Sequence, residues 1–168
     1  MSDTPNALDR ATFVSRFGGV YEHSPWIAER AFDAGLHENT ATVDDFAQAL
    51  VAVVEAADHE ARLTLLRAHP DLAGKLAIQG ALTTHSRNEQ AGAALDACSA
   101  EEFDRFQELN ETYKTRFGFP FILAVRGYHR RQILEIFEQR VGNDPETEFR
   151  TALDQVHRIA RLRLNDLM

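Results

Sequence analysis

Apolar residues return at three- and four-residue intervals along almost the whole chain, whereas short alternating stretches rich in β-branched residues are nearly absent. The first spacing lines up side chains on one face of an α-helix; alternation would line them up on one face of a strand. The chain is therefore read as all-α. Phe46, Leu50, Val53, Val54 and Ala57 form one stripe, and Phe149, Ala152, Leu153, Val156, Ile159, Ala160, Leu164 and Leu167 form a longer one near the end. A length of 168 residues, 44% of them hydrophobic, suffices for one core and not comfortably for two. Residues 1–168 are expected to form a single compact multi-helix domain.

Local signals set the expected helix ends. Gly18-Gly19 closes a first helix carrying Phe13, Val14 and Phe17, and Ser24-Pro25 supplies the cap and first turn of a second that reaches about Phe32, with Gly35 after it. Thr42 and Asp58 stand where N-caps are needed. The S-x-x-E spacing at Ser86/Glu89 and again at Ser99/Glu102 predicts capping boxes that open helices over about 87–97 and 100–116. "RFGFPFILAVRG" could be a short strand, but with helical neighbours it reads better as an irregular buried segment leading to a helix from about His129 to Val141. Asp144-Pro145 then opens the last helix, which runs to about 166.

Charge and cysteine usage narrow the function classes. Eighteen Lys and Arg against 26 Asp and Glu give a net charge of −8 without a basic block, so neither a nucleic-acid nor a membrane partner is expected. Cys98 has no second cysteine to pair with, which fits a reducing compartment. "MSDTPNALDR" lacks the basic and apolar regions of a signal peptide, no apolar run approaches the ~18 residues of a membrane span, and "RLNDLM" is not a peroxisomal address. A cytoplasmic location is expected. The seven histidines make no H-E-x-x-H pair, and there is no P-loop, dinucleotide fingerprint or G-x-S-x-G elbow, so neither a metal nor a cofactor is expected.

Three side chains invite a chemical reading beside a structural one. Arg163 falls inside the apolar stripe, seven residues after Val156, while Arg161 falls outside it. A buried guanidinium needs an anion from the protein or a ligand; alternatively its stem packs inside and its head reaches water. His69 precedes Pro70, and proline disfavours helical geometry in the residue before it. The break frees the imidazole for catalysis, or lets it cap a neighbouring helix end. Glu89 either completes the capping box or joins Ser86, Arg87, Asn88 and Gln90 in a small-molecule cradle at a helix start, and the two roles are compatible.

"HPDLAGKLA" at 69–77, "LTTHSRNEQAGA" at 82–93, "LNETYKTRFGFPFILAVRG" at 109–127 and "IARLRLNDL" at 159–167 closely resemble, in order, the OHCU decarboxylase family. The resemblance implies an all-α fold and cofactor-independent decarboxylation of 2-oxo-4-hydroxy-4-carboxy-5-ureidoimidazoline (OHCU) to (S)-allantoin in urate breakdown. By the same resemblance His69 matches the catalytic histidine and Pro70 a binding neighbour. Ser86, Glu89 and Gln90 match polar ligand contacts, with Arg87 and Asn88 between them. Phe121, Ile122, Leu123, Ala124 and Val125 match a backbone wall around the ring, and Arg163 matches the C-terminal arginine. Catalytic roles are expected for His69, Glu89 and Arg163.

Two positions depart from the family pattern. Ala93 replaces the usual leucine, and Leu123-Ala124-Val125 lacks a cysteine that other members often carry, which argues against thiol chemistry there. The expected partner is the small ureidoimidazoline, with a homodimer left open. Competing readings are a helical binding module without turnover, which would keep Arg163 but not need His69, and hydrolysis of 5-hydroxyisourate, which would need a water-activating group that these motifs do not supply.

Overall fold

Side-chain caps fix where the helices begin. Asp9, Thr42 and Asp58 each accept the backbone N–H three residues on, opening α1 (Arg10–Phe17), α3 (Val43–Ala56) and α4 (His59–Arg67). Between them lies α2 (Trp26–Asp33). Thr83 opens α5 (Thr84–Gly92) in the same way, and Ser99 and Glu102 form the expected reciprocal capping box of α6 (Ala100–Phe117). His129 and Gln132 make a second box at α7 (Arg130–Arg140), while Asp144 accepts from Thr147 at the start of α8 (Pro145–Leu167). Each such cap contributes about 1 kcal/mol by satisfying an otherwise orphan N–H.

The computed structural model describes residues 4–74 and 82–168, and among these there are eight α-helices and no strand. The all-α expectation holds. None of the described helices is long and apolar enough to cross a membrane.

Three local expectations are corrected. Ser86 is not an N-cap: Thr83 holds that place, so α5 starts earlier and buries Ser86 within its first turn. A threonine three residues upstream is an equally good acceptor, and it wins because it lets Ser86 and Gln90 share a buried face. The helix also stops at Gly92 rather than about 97, because Ala94 takes a left-handed backbone, φ 61°, before a 3-10 turn at Leu95–Ala97. Ser24 does not cap α2 either; its hydroxyl donates to the Glu22 carbonyl, and Pro25 occupies the cap position without a side-chain bond.

The described residues group into two compact units, one up to Ala68 together with Val156–Met168, the other within His69–Gln155. In the first, α1, α2 and α3 pack around Phe13, Phe17 and Phe46, with the Phe17 and Phe46 rings edge to face at 4.7 Å. Val156, Ala160 and Leu164 of α8 are buried as the stripe predicts. In the second, Tyr113 of α6, Phe137 of α7 and Phe121 form an aromatic core in which Phe121 and Phe137 stack at 3.9 Å.

Candidate active site

α4 ends at Arg67, Ala68 caps it, and His69 lies outside the helix, as the following proline predicts. The imidazole is nearly enclosed, with His69 8% exposed. Beyond Pro70 the chain makes a tight turn: Ala73 is left-handed at φ 50°, and a Cβ on Gly74 would sit 2.7 Å from the Asp71 Cβ, so the chain needs a glycine there. Lys75, Leu76 and Ala77, the end of that motif, lie outside the described residues.

Three side-chain amides hold this turn. Gln90 of α5 spans it, accepting the Ala73 N–H at 3.0 Å and donating to the Asp71 carbonyl at 3.3 Å. Asn110 and Gln107 of α6 donate to the carbonyls of Leu72 and Ala73 at 3.0 and 2.8 Å. Lys114 adds an ion pair to Asp71. Turn backbone that cannot enter a helix ladder is thereby satisfied, and His69-Pro70 is anchored at its downstream end. Gln90, read from sequence as a ligand contact, thus also organises the turn next to the catalytic candidate.

On α5 the five-residue cradle separates by face. Ser86 and Gln90, four residues apart, are buried; Glu89 is half-buried; Arg87 and Asn88 are exposed. Since Thr83 caps the helix, Glu89 sits in its last turn, and the capping role that competed with a chemical one is gone.

Phe121 to Val125 are neither helical nor bent, and all five are buried. Their backbone is held from two helices. Arg140 of α7 donates from Nη1 to the Ile122 carbonyl at 2.6 Å, and Gln155 of α8 accepts the Ala124 N–H at 2.9 Å. Arg140 is paired with Glu148, which is 0% exposed and also accepts the Tyr113 hydroxyl and, at 2.9 Å, Asn143 Nδ2. Burial, reinforced by the bond to Glu148, pushes the Tyr113 phenol well above its ordinary range, so it stays a donor.

Arg163 belongs to the first unit. It is 1% exposed, and its guanidinium donates to Glu22 Oε2 at 2.8 Å and to the Gly19 carbonyl at 3.1 Å. The anion that the buried arginine required is therefore Glu22, itself 1% exposed. Arg161 pairs with Asp44 on the surface. One residue before Glu22, the Tyr21 hydroxyl meets His157 Nδ1 at 2.8 Å, and His157 Nε2 meets Glu55 at 3.0 Å. Burial, with Glu55 adding to it, raises the Tyr21 phenol. In the tautomer protonated at Nε2, the phenol donates to Nδ1 and the imidazole donates to Glu55.

Sequence reading missed Glu22, Tyr21, Arg140, Glu148 and Gln155. Arg140 carried a signal, as a cation close to the apolar positions Ile133 and Phe137 of its own helix, and Glu148 a similar one, four residues before Ala152.

A cleft of about 390 Å³ in the second unit, lined by Leu95, Cys98, Ala100 and Phe103 among others, touches the turn at Ala73. Burial and the neighbouring Glu102 carboxylate raise its thiol, which disfavours the thiolate. Among the described residues no cluster of three or more His, Cys, Asp or Glu could hold a metal ion.

Comparison with known proteins agrees with the motifs. The family model for OHCU decarboxylase matches residues 6–165. A 2-oxo-4-hydroxy-4-carboxy-5-ureidoimidazoline decarboxylase of Haloferax volcanii is 48% identical over 159 residues, covering 95% of this chain and 90% of that protein. A solved (S)-allantoin synthase matches with TM-score 0.77 and 35% identity over 97% of this chain; this chain spans 52% of that one. An OHCU decarboxylase solved in the presence of (S)-allantoin matches with TM-score 0.68 and 22% identity, covering 84% of this chain and 89% of that one, a likeness of fold. With a family model running through nearly all of its length and a relative of this similarity, the chain belongs to the OHCU decarboxylase family.

Proposed function

We propose that this chain decarboxylates OHCU to (S)-allantoin in urate breakdown, as a carboxy-lyase that needs neither metal nor cofactor. The observation that carries the reading is the 48% identity, over 95% of the chain, to a protein named for that substrate. The unbroken family match over residues 6–165 supports treating the chain as one functional domain. In this reading the partner is a small molecule, the location is cytoplasmic, and light scattering decides between monomer and homodimer.

The substrate explains why so few groups suffice. Breaking the C4–carboxylate bond releases CO2 and leaves an electron pair that the adjacent C5=N bond accepts, so the substrate is its own electron sink. The ring nitrogen that receives those electrons takes up one proton; the C4 hydroxyl then gives up its proton to become a carbonyl while C5 takes a proton and becomes the stereocentre. The protein must orient the ring and move protons on one face.

His69 carries the proton, an assignment supported by its burial and by the anchored turn beside it. Glu89, with Ser86 and Gln90 beside it on α5, orients the ureido and ring N–H groups. Pro70 and the Phe121–Val125 backbone pack against the ring. Arg163 enters as a fixed cation that Glu22 holds in place.

The reaction is tested by supplying freshly generated OHCU labelled in its carboxyl carbon and timing CO2 release against the spontaneous rate. Exhaustive chelation is expected to leave that rate unchanged; loss on chelation with recovery on adding a specific metal would contradict the cofactor-free chemistry. Glu89→Gln addresses the site. Glu89 is not the cap of α5, so the melting temperature is expected to stay within about 2 °C of wild type. Turnover is expected to fall on the order of 10²-fold as the carboxylate is neutralised. Unchanged turnover would remove Glu89 from the site.

A further inference from the structure

We propose that Gln155 and Arg140 are positioning residues for this reaction, acting through the backbone of Phe121–Val125; the inference rests on the reading of that segment as the wall facing the substrate. A buried run that is neither helix nor strand cannot satisfy its own peptide groups, so its position is set by whatever does. Here the Ile122 carbonyl takes Arg140 Nη1 at 2.6 Å and the Ala124 N–H takes Gln155 Oε1 at 2.9 Å. The Val125 carbonyl accepts the Tyr128 N–H at 2.9 Å, closing the end of the run.

A trans peptide points its carbonyl and its N–H to opposite sides. The Leu123 N–H therefore points away from the Arg140 grip on the Ile122 carbonyl, and the Leu123 carbonyl away from the Gln155 grip on the Ala124 N–H. Two grips on either side of one residue fix both the height and the roll of its N–H and carbonyl. That is what a backbone wall needs in order to read a planar, hydrogen-bonding ring.

Arg140 is itself immobilised. Its Nε and Nη2 hold Glu148, and its guanidinium lies 4.5 Å from the centroid of the Phe121 ring, which stacks on Phe137. Glu148 is fixed in turn by Tyr113 and Asn143. A buried ion pair is a costly way to join two helices when apolar packing would serve. Its distinctive product here is one guanidinium N–H aimed at one carbonyl.

The test uses the full chain and three variants. Gln155→Met keeps the length of the side chain and removes the acceptor, whereas Gln155→Glu keeps an acceptor. Gln155→Met is expected to retain its helices by circular dichroism, to lose roughly 10–10²-fold in kcat with a smaller change in KM, and to exchange the Ala124 amide hydrogen faster. Gln155→Glu is expected to recover most of the kcat and of the amide protection. Arg140→Lys keeps a cation for Glu148 but cannot reach Glu148 and Ile122 together, and is expected to lower kcat in the same direction. Wild-type kcat in both Gln155→Met and Arg140→Lys, or a Gln155→Met loss that Gln155→Glu does not repair, overturns the inference while the decarboxylase reading stands. If the unaltered chain does not turn over OHCU, both fall together.

Discussion

Asparagine in place of His69 is expected to leave the helices intact and to slow the formation of (S)-allantoin by about 10²–10⁴-fold, with substrate binding less affected. The helix break upstream is a backbone consequence of Pro70, and the turn downstream is held by Gln90, Asn110 and Gln107, none of which needs the imidazole. Asparagine keeps a polar side chain of moderate size but cannot exchange protons near neutral pH. Structure and chemistry therefore separate at this position. A folded His69→Asn protein working at the wild-type rate would make the histidine a helix-end residue and remove the proposed proton carrier.

Arg163→Ala is expected to cost about 3–5 kcal/mol of stability, because it strands the Glu22 carboxylate where it was buried. For a chain of this length that lowers the melting temperature by roughly 6–20 °C. Arg161→Ala breaks an exposed pair with Asp44 and should cost no more than about 1 kcal/mol. The two arginines lie two positions apart on one helix, so the contrast isolates burial from charge. Glu22→Gln removes the charge from the other side and is expected to destabilise as well. Measured on folded protein at low temperature, Arg163→Ala is also expected to lower kcat/KM while Arg161→Ala leaves it unchanged. Equal, small effects from both arginines would end the assignment of Arg163.

How much could be read from sequence depends on how local each signal is. The helices were legible because caps and apolar periodicity act within a few residues: Thr42, Asp58, Ser99 and Asp144 all cap where spacing placed them. The Ser86 misreading shows the limit. Two acceptors three residues apart, Thr83 and Ser86, offer the same local bond, and only the burial of Ser86 and Gln90 decides between them. The end of α5 was equally hidden, since no glycine marks the left-handed position that Ala94 takes. Arg163 could be found from one helix alone, as a cation within an apolar stripe, but its partner Glu22 lies 141 residues upstream, outside the four motifs. Gln155 left no trace at all: on a helix face an amide that grips a distant peptide looks like any solvated side chain.

The handedness of the product tests the central claim most directly. OHCU that decays in water gives allantoin without optical bias, whereas a proton delivered to one face of C5 gives a single enantiomer. Fresh OHCU mixed with the unaltered chain and followed by circular dichroism is expected to develop the (S)-allantoin signal faster than spontaneous decay consumes the substrate, and to do so in the presence of chelator. Decay at the uncatalysed rate, leaving an optically silent product, would contradict it.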